Sequence, residues 1–295
     1  LNSKNLGRLP IAVVGLTLLS ALLAWTHSSV TTPGSKSDAD FRFAILGDRT
    51  GEAVPGVYEE AWRETNADHP EFVITVGDTI QGGRDESAEA QWRQIMRTLA
   101  PFRKYRMFFV PGNHDVWSPL SAQLYERYSR HPLHYSFNYK QAHFTILNNS
   151  ENDTLGPSEI DFLKTDLEEN SHQPLKFIFF HRPSWLLHAL LKNPDFPLHQ
   201  IATQYGVQYV ICGHLHEMLR FEVGRVTYLS MASSGGHLRE PKTYEAGWFF
   251  QHTLVTVHGS AAAFAIKELQ PPFGEGRVSE VKDWSTKNLI TGGAK

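Results

Sequence analysis

From residue 41 onward, apolar runs alternate with amphipathic stretches. Phe41 to Leu46 reads as a buried strand and Val57 to Ala67 as a helix. Phe72 to Val76 and Glu86 to Leu99 repeat that strand–helix order. Met107 to Val110 gives a third strand, followed by a helical stretch near Leu120 to Tyr128. Strand–loop–helix repetition of this kind predicts α/β layering. The middle of the chain changes character. His134 to Tyr139 and His143 to Leu147 are short strand-like runs that predict a hairpin. Pro157 to Leu167 is helical, with Ile160, Leu163 and Leu167 on one face. Phe177 to Phe180 and, after a further helical stretch, Val207 to Cys212 are again buried strands. Phe221 to Val223, Val226 to Leu229, Leu254 to His258 and Ala262 to Lys267 complete the strand set. Two β-rich arms around central helices predict two stacked sheets with helices outside.

The ends differ from this body. Leu9 to Trp25 is apolar apart from Thr17 and Ser20, with Lys4 and Arg8 before it and a polar stretch behind it. That is the layout of a signal peptide or membrane anchor over residues 1–30, with a polar linker at 31–40. The run is at the lower limit for crossing a bilayer, about 17–25 residues, so membrane attachment through residues 9–25 is an expectation. The leading positive charges place the following domain outside the cytoplasm, periplasmic or secreted. Residues 41–268 form the expected domain. Beyond them, 269–295 is Pro/Gly-rich and charged, expected as a loosely packed tail. With 295 residues, 41% hydrophobic, there is material for a real core. A net charge of -3 offers no basic field for nucleic acid. The lone Cys212 forbids an internal disulfide and reads as a small buried core residue.

The candidate chemistry sits at strand ends. Asp48, Asp78, Asn113 with His114, His181, and His214 with His216 each lie just beyond a predicted buried strand. In α/β folds the loops at that edge converge on one crevice. Gly47, Gly77, Gly112 and Gly213 directly precede four of these positions and permit sharp turns. Carboxylates and imidazoles without a thiolate suit Mn, Zn, Fe or Co. The set is larger than one tetrahedral site needs and fits a two-metal phosphoryl-transfer centre. Each Gly-Asp alone is more commonly a turn or cap. Five such motifs sharing one edge set these positions apart from ordinary turns.

In order, "GDRTG" at Asp48, "VGDTIQGG" at Asp78, "PGNHD" at Pro111–Asp115, "FFHRPSW" at Phe179–Trp185 and "CGHLH" at Cys212–His216 resemble the calcineurin-like metallophosphoesterases. The resemblance spans Phe41 to Lys267 and implies a four-layer α/β (α+β) sandwich, two mixed β-sheets flanked by helices. It implies a hydrolase of phosphate mono- or diesters with two divalent or transition metal ions. Asp78 would bridge the ions, Asp48 and His216 hold the first, and Asn113, His181 and His214 hold the second. His114 would contact the phosphate and act as general acid, Asp115 would orient it, and a metal-bound hydroxide would attack phosphorus in line. One position departs from the family. Where many members carry a second His in the first motif, this chain has Thr50, and Gln81 stands where purple acid phosphatases carry Tyr. Thr50 or Gln81 oxygens, or water, would then complete the first site. The departure also motivates a second reading, a non-catalytic metal- or ligand-binding module on the same fold. Arg49, Arg182 and Arg84 flank the motifs as candidate phosphate ligands, and Trp117, Trp185 and His237 as candidate pocket walls, with ordinary surface or packing roles as the alternative. Competing motifs fail. Val57 and Tyr58 replace the Lys and Ser/Thr of a P-loop, and Arg220 replaces the second His of a zinc-protease motif.

Overall fold

The computed structural model describes residues 40–240, 242–270 and 276–284. The expected signal or anchor over 1–30 and most of the linker lie outside the described residues. Among the described residues, no helix is long and apolar enough to cross a membrane.

Two six-stranded mixed sheets are formed. The first contains β1 (Phe41–Leu46), β2 (Phe72–Thr75), β3 (Arg106–Phe108), β10 (Phe250–His258), β11 (Ala261–Leu269) and β12 (Val278–Ser279), in the order β12-β11-β10-β1-β2-β3. The second contains β4 (Tyr135–Tyr139), β5 (Ala142–Ile146), β6 (Leu175–Phe179), β7 (Tyr209–His216), β8 (Leu219–Val223) and β9 (Val226–Ala232), in the order β4-β5-β6-β7-β9-β8. Strands β1, β2 and β3 are parallel, as are β5, β6, β7 and β9. Their C-terminal ends therefore form common edges, as the strand-end positions of the candidate ligands require.

Why the strands read as continuous apolar runs is visible in their packing. Phe41, Phe43 and Ile45 of β1 face the second sheet, while Ala44 and Leu46 face the helices α1 (Val57–Asp68), α2 (Asp85–Thr98) and α3 (Pro119–Ser129). On the second sheet, Phe177 and Phe179 face inward. Ile178 and Phe180 pack toward α4 (Pro157–Glu169), α5 (Leu186–Leu190) and α6 (Pro197–Gln204). Strands buried on both faces have no polar side to alternate with. The inner layer is aromatic: Phe43 stacks on Phe72 at 5.2 Å and meets Phe144 edge-on at 5.3 Å, and Phe144 stacks on Phe177 at 4.9 Å. The result is the four-layer arrangement expected from the family resemblance.

The end of the chain departs from its expected looseness. Val278 and Ser279 pair with β11, and the indole of Trp284 is buried against Phe249 at 5.3 Å and Tyr244 at 5.2 Å. One large aromatic and a two-residue strand dock a segment whose composition alone reads as a tail. Helix α5 also has no counterpart among the sequence expectations: its five residues are too few for a periodic signal.

Candidate metal centre

Four of the candidate ligands sit in the left-handed backbone region: Asp48 (φ 50°), Asp78 (φ 56°), His214 (φ 73°) and His216 (φ 61°). Each such non-glycine residue costs about 1–2 kcal/mol, so their coincidence marks positions held for chemistry. In β7 the pairing with β9 shifts register between Cys212 and His216. The strand thus carries both histidines inside its length, and the bulge turns them toward the site. Two glycines make room. A Cβ on Gly77 (φ 99°) would lie 2.5 Å from His181 Nδ1, and one on Gly112 would lie 2.3 Å from Asp78 Oδ1.

The loops are stitched together by their backbones. Asp48 N donates to Gly77 O at 3.0 Å, and His214 N donates to Asp48 Oδ1 at 2.8 Å. His114 N donates to Asp78 Oδ1 at 2.9 Å. The imidazoles are oriented by carbonyls: His181 Nδ1 donates to Val76 O at 2.7 Å and His216 Nδ1 to His237 O at 2.8 Å. A carbonyl can only accept, so each Nε2 is left to face the site. Around His181 Nε2 lie Asn113 Oδ1 at 3.1 Å, Asp78 Oδ2 at 3.2 Å and His214 Nδ1 at 3.2 Å.

These atoms form two ligand groups, Asp78–His181–His214 and Asp48–Asp78–His216, each with its ligand atoms within 4.8 Å of one another. Asp78 belongs to both. Asn113 joins the first group through its oxygen. Asp48 Oδ2 is buried and has no hydrogen-bond partner, an expensive state for a carboxylate oxygen unless a cation meets it. Acceptors crowding His181 Nε2 hold together without a cation only if that nitrogen carries a proton. Accordingly, although burial lowers it, the Asp78 and Asp48 carboxylates raise His181 to about 9. Burial, then the His181 charge, pushes His214 down to about 3, and burial takes His216 to about 4, so both present neutral rings. Burial lifts Asp48 to about 8, with the Asp78 charge adding to it; burial also pushes Asp78 up, but the His181 charge and hydrogen bond together with the His114 charge and amide hold it well below the usual range. Neutral imidazoles and an unsatisfied carboxylate oxygen fit a divalent metal centre.

Several predicted residues occupy other roles. Asp115, expected to orient His114, directs its hydrogen bonds to backbone amides instead. Its carboxylate accepts from Thr79 N at 2.8 Å, Ile80 N at 3.1 Å and Gly112 N at 3.0 Å, tying the Asp78 loop to the Asn113 loop. Burial and the nearby Asp78 carboxylate push Asp115 up to about 7, against the pull of those amides. His114 is instead held by the Gln81 carbonyl, 2.5 Å from Nδ1. Thr50 donates to Gln81 Oε1, which also accepts from Gly51 N at 3.3 Å. The two side chains expected to supply oxygens to the first group are thus engaged with each other. Trp185 is core rather than pocket wall: its Nε1 donates to Cys212 Sγ at 3.2 Å, and both are buried.

Arg182 stands at the mouth. It lines a cavity of about 200 Å³ with His214 and another of about 350 Å³ with Asn113 and Trp117. Its guanidinium donates to Ser150 O at 3.2 Å and Asp153 at 2.7 Å. Arg49 lies 5.7 Å over the Tyr58 ring and donates to Thr79 O at 3.4 Å. Arg84 precedes α2 at its N-terminus.

Two supporting segments escaped the sequence reading. Asn149 Oδ1 accepts from His181 N at 3.2 Å and Arg182 N at 3.0 Å, and its Nδ2 donates to Arg182 O at 2.7 Å. Ser233 Oγ donates to Asp48 O at 2.8 Å, and Gly236 N to the same carbonyl at 2.7 Å. Both segments follow C-terminal strand ends, β5 and β9, where the strand-end rule already pointed.

A family model described as calcineurin-like phosphoesterase matches residues 41–218. No curated protein matches the chain in sequence. Among solved structures, purple acid phosphatase PPD1 from yellow lupin (Lupinus luteus) seeds is similar, with a TM-score of 0.60 and 12% identity. That match covers 88% of this chain and 56% of the other, so the chain spans little more than half of that protein. GAP50, the anchor in the inner membrane complex of Plasmodium, is also similar, with a TM-score of 0.55 and 14% identity over 85% of this chain and 93% of the other. At these identities the likeness is one of fold.

Proposed function

Because the chain belongs to the calcineurin-like phosphoesterases, we propose that it hydrolyses phosphate mono- or diesters at a dinuclear metal centre. The observation that carries this reading is Asp78, the one carboxylate common to both ligand groups. Asp48, Asp78 and His216 would hold one ion, and Asp78, Asn113, His181 and His214 the other, with Mn, Zn, Fe or Co favoured by the donor types. When bound, two such ions would supply the positive charge and the more acidic water that phosphoryl transfer needs. The chain's own groups do the rest. Arg182 offers its guanidinium to phosphate oxygens at the mouth. His114, fixed through Nδ1 by Gln81 O, keeps Nε2 to hold a proton and pass it to the leaving oxygen. The apolar run at residues 9–25 supports an extracytoplasmic, membrane-attached placement.

The second reading, a non-catalytic binding module, draws on the pairing of Thr50 with Gln81, which leaves the first group at three ligand residues. The test is metal content together with hydrolysis of para-nitrophenyl phosphate and its bis ester. Two metals per chain, with turnover lost in Asn113→Ala and His114→Ala, support the enzyme, and the preferred ester assigns its subclass. One metal or none, with no turnover even after Thr50→His, supports the binding module.

A further inference from the structure

A second concave site lies away from the metal ligands. It is a cavity of about 620 Å³ where the C-terminal turns of α2 and α3 meet the edge strand β3. Its size is that of a small-molecule pocket, about 300–1,000 Å³. Leu99, Met107 and Phe109, with the rings of Tyr105 and Tyr128, supply the apolar part of its lining. Three guanidiniums, from Arg103, Arg127 and Arg130, line the same cavity. Arg127 pairs with Glu89 at 3.1 Å, a carboxylate it shares with Arg93 at 2.8 Å. Among the described residues, Arg103 and Arg130 have no acidic partner and both are exposed.

Three further facts make this more than a charged surface. The chain is net acidic, at -3, yet residues 97–106 contain Arg97, Arg103, Lys104 and Arg106 and no acid. Arg130 caps α3 in the left-handed region at φ 62°, a position that favours glycine. The arginines share this cavity with apolar and aromatic side chains. An inorganic anion would use the arginines and leave the apolar lining wet. A neutral apolar molecule would use that lining and leave the charges idle.

We propose that this cavity binds an anionic amphiphile. A tetrahedral phosphate-type dianion sits between Arg103 and Arg130, and its alkyl or aryl group lies over Leu99, Met107 and Phe109 between the two tyrosines. Two guanidiniums match two negative charges and bind such an oxyanion through paired N–H donors. The site is separate from the metal centre and stands independently of any turnover there.

The experiment is isothermal titration of the full metal-loaded chain with octylphosphonate, whose phosphorus–carbon bond cannot be hydrolysed as an ester. Methylphosphonate serves as the head group alone. Octylphosphonate should bind at least about tenfold more tightly, since each buried methylene adds to affinity. Arg103→Ala/Arg130→Ala should weaken octylphosphonate about tenfold or more, with unchanged melting temperature and aryl phosphate hydrolysis. Asn113→Ala, which disables the metal centre, should keep the octylphosphonate affinity. Arg103→Gln alone, at an exposed position where folding is not at stake, should already weaken it several-fold. Unchanged affinity in both arginine variants overturns the proposal. So does methylphosphonate binding as tightly as octylphosphonate, which would leave an anion site without an apolar component.

Discussion

The Asp115 carboxylate offers the sharpest test of how the centre is built. It accepts three backbone N–H groups, from Thr79, Ile80 and Gly112, and it is fully buried. Asp115→Ala removes the two oxygens that accept all three bonds at once. A buried N–H left without a partner costs about 1–3 kcal/mol, and partial relaxation of the loops offsets some of that, giving a loss of about 3–6 kcal/mol. For a domain of this size, each 1 kcal/mol lowers the melting temperature by about 2–4 °C, so a fall on the order of 10–20 °C is expected. Asp115→Asn should fall between, because it keeps an oxygen for Thr79 and Ile80 but turns an amide donor toward Gly112 N. The clipped loops carry Asp78 and Asn113, so both variants should bind metal more weakly. The alternative role, a partner that sets the protonation of His114, makes a different forecast. In that case the melting temperature would barely move and the pH–rate profile of aryl phosphate hydrolysis would shift. Thermal unfolding, metal titration and that profile separate the two. Melting of Asp115→Ala within about 2 °C of the parent chain, with a displaced pH–rate limb, would refute the clip.

Three further outcomes follow from the same geometry. Gly77→Ala places a Cβ 2.5 Å from His181 Nδ1 at φ 99°, so it should destabilise by more than about 2 kcal/mol in a denaturant titration and release metal. Elemental analysis should find both ions missing from Asp78→Asn, but only one from His216→Ala or His214→Ala, because only Asp78 belongs to both groups. The third concerns acid. Asp166 is buried and accepts from His143 Nε2 at 2.8 Å, Thr145 Oγ1 at 2.6 Å and Ser136 Oγ at 2.5 Å. Burial would raise it, but these bonds, His143 first, hold it below the usual carboxylate range. A depressed folded value gives stability above the unfolded carboxylate pKa that is lost as pH falls through the folded one. Stability should therefore decline below about pH 4. Asp166→Asn should flatten that decline in urea unfolding measured against pH.

How much of this was legible in the sequence depends on the range over which each signal acts. The strand runs were legible because both faces are buried, so Phe41–Leu46 and Phe72–Val76 carry their environment in their own composition. The candidate ligands were legible because each lies at the C-terminal end of a strand or within a few residues of it, and Gly77 and Gly112 betray the close approach needed at their neighbours. What the sequence concealed are contacts between loops far apart in the chain. Asp115 holds amides 36 and 35 residues away, and Asn149 holds those 32 and 33 residues away. A side chain that accepts backbone N–H groups imposes no residue type on its partners, so neither end of such a bond leaves a local pattern. The Asp115 clip was hidden in that way. Adjacency to His114 in sequence suggested a pair, but His114 and Asp115 diverge, the imidazole toward Gln81 O and the carboxylate toward Gly112 N and Thr79 N. The same reasoning explains why Trp284 was read as tail: its burial depends on Tyr244 and Phe249, about 35–40 residues earlier. Which residues are candidate ligands is therefore local information in this chain, while their placement is not, and the residues that enforce placement are the ones whose replacement separates the readings above.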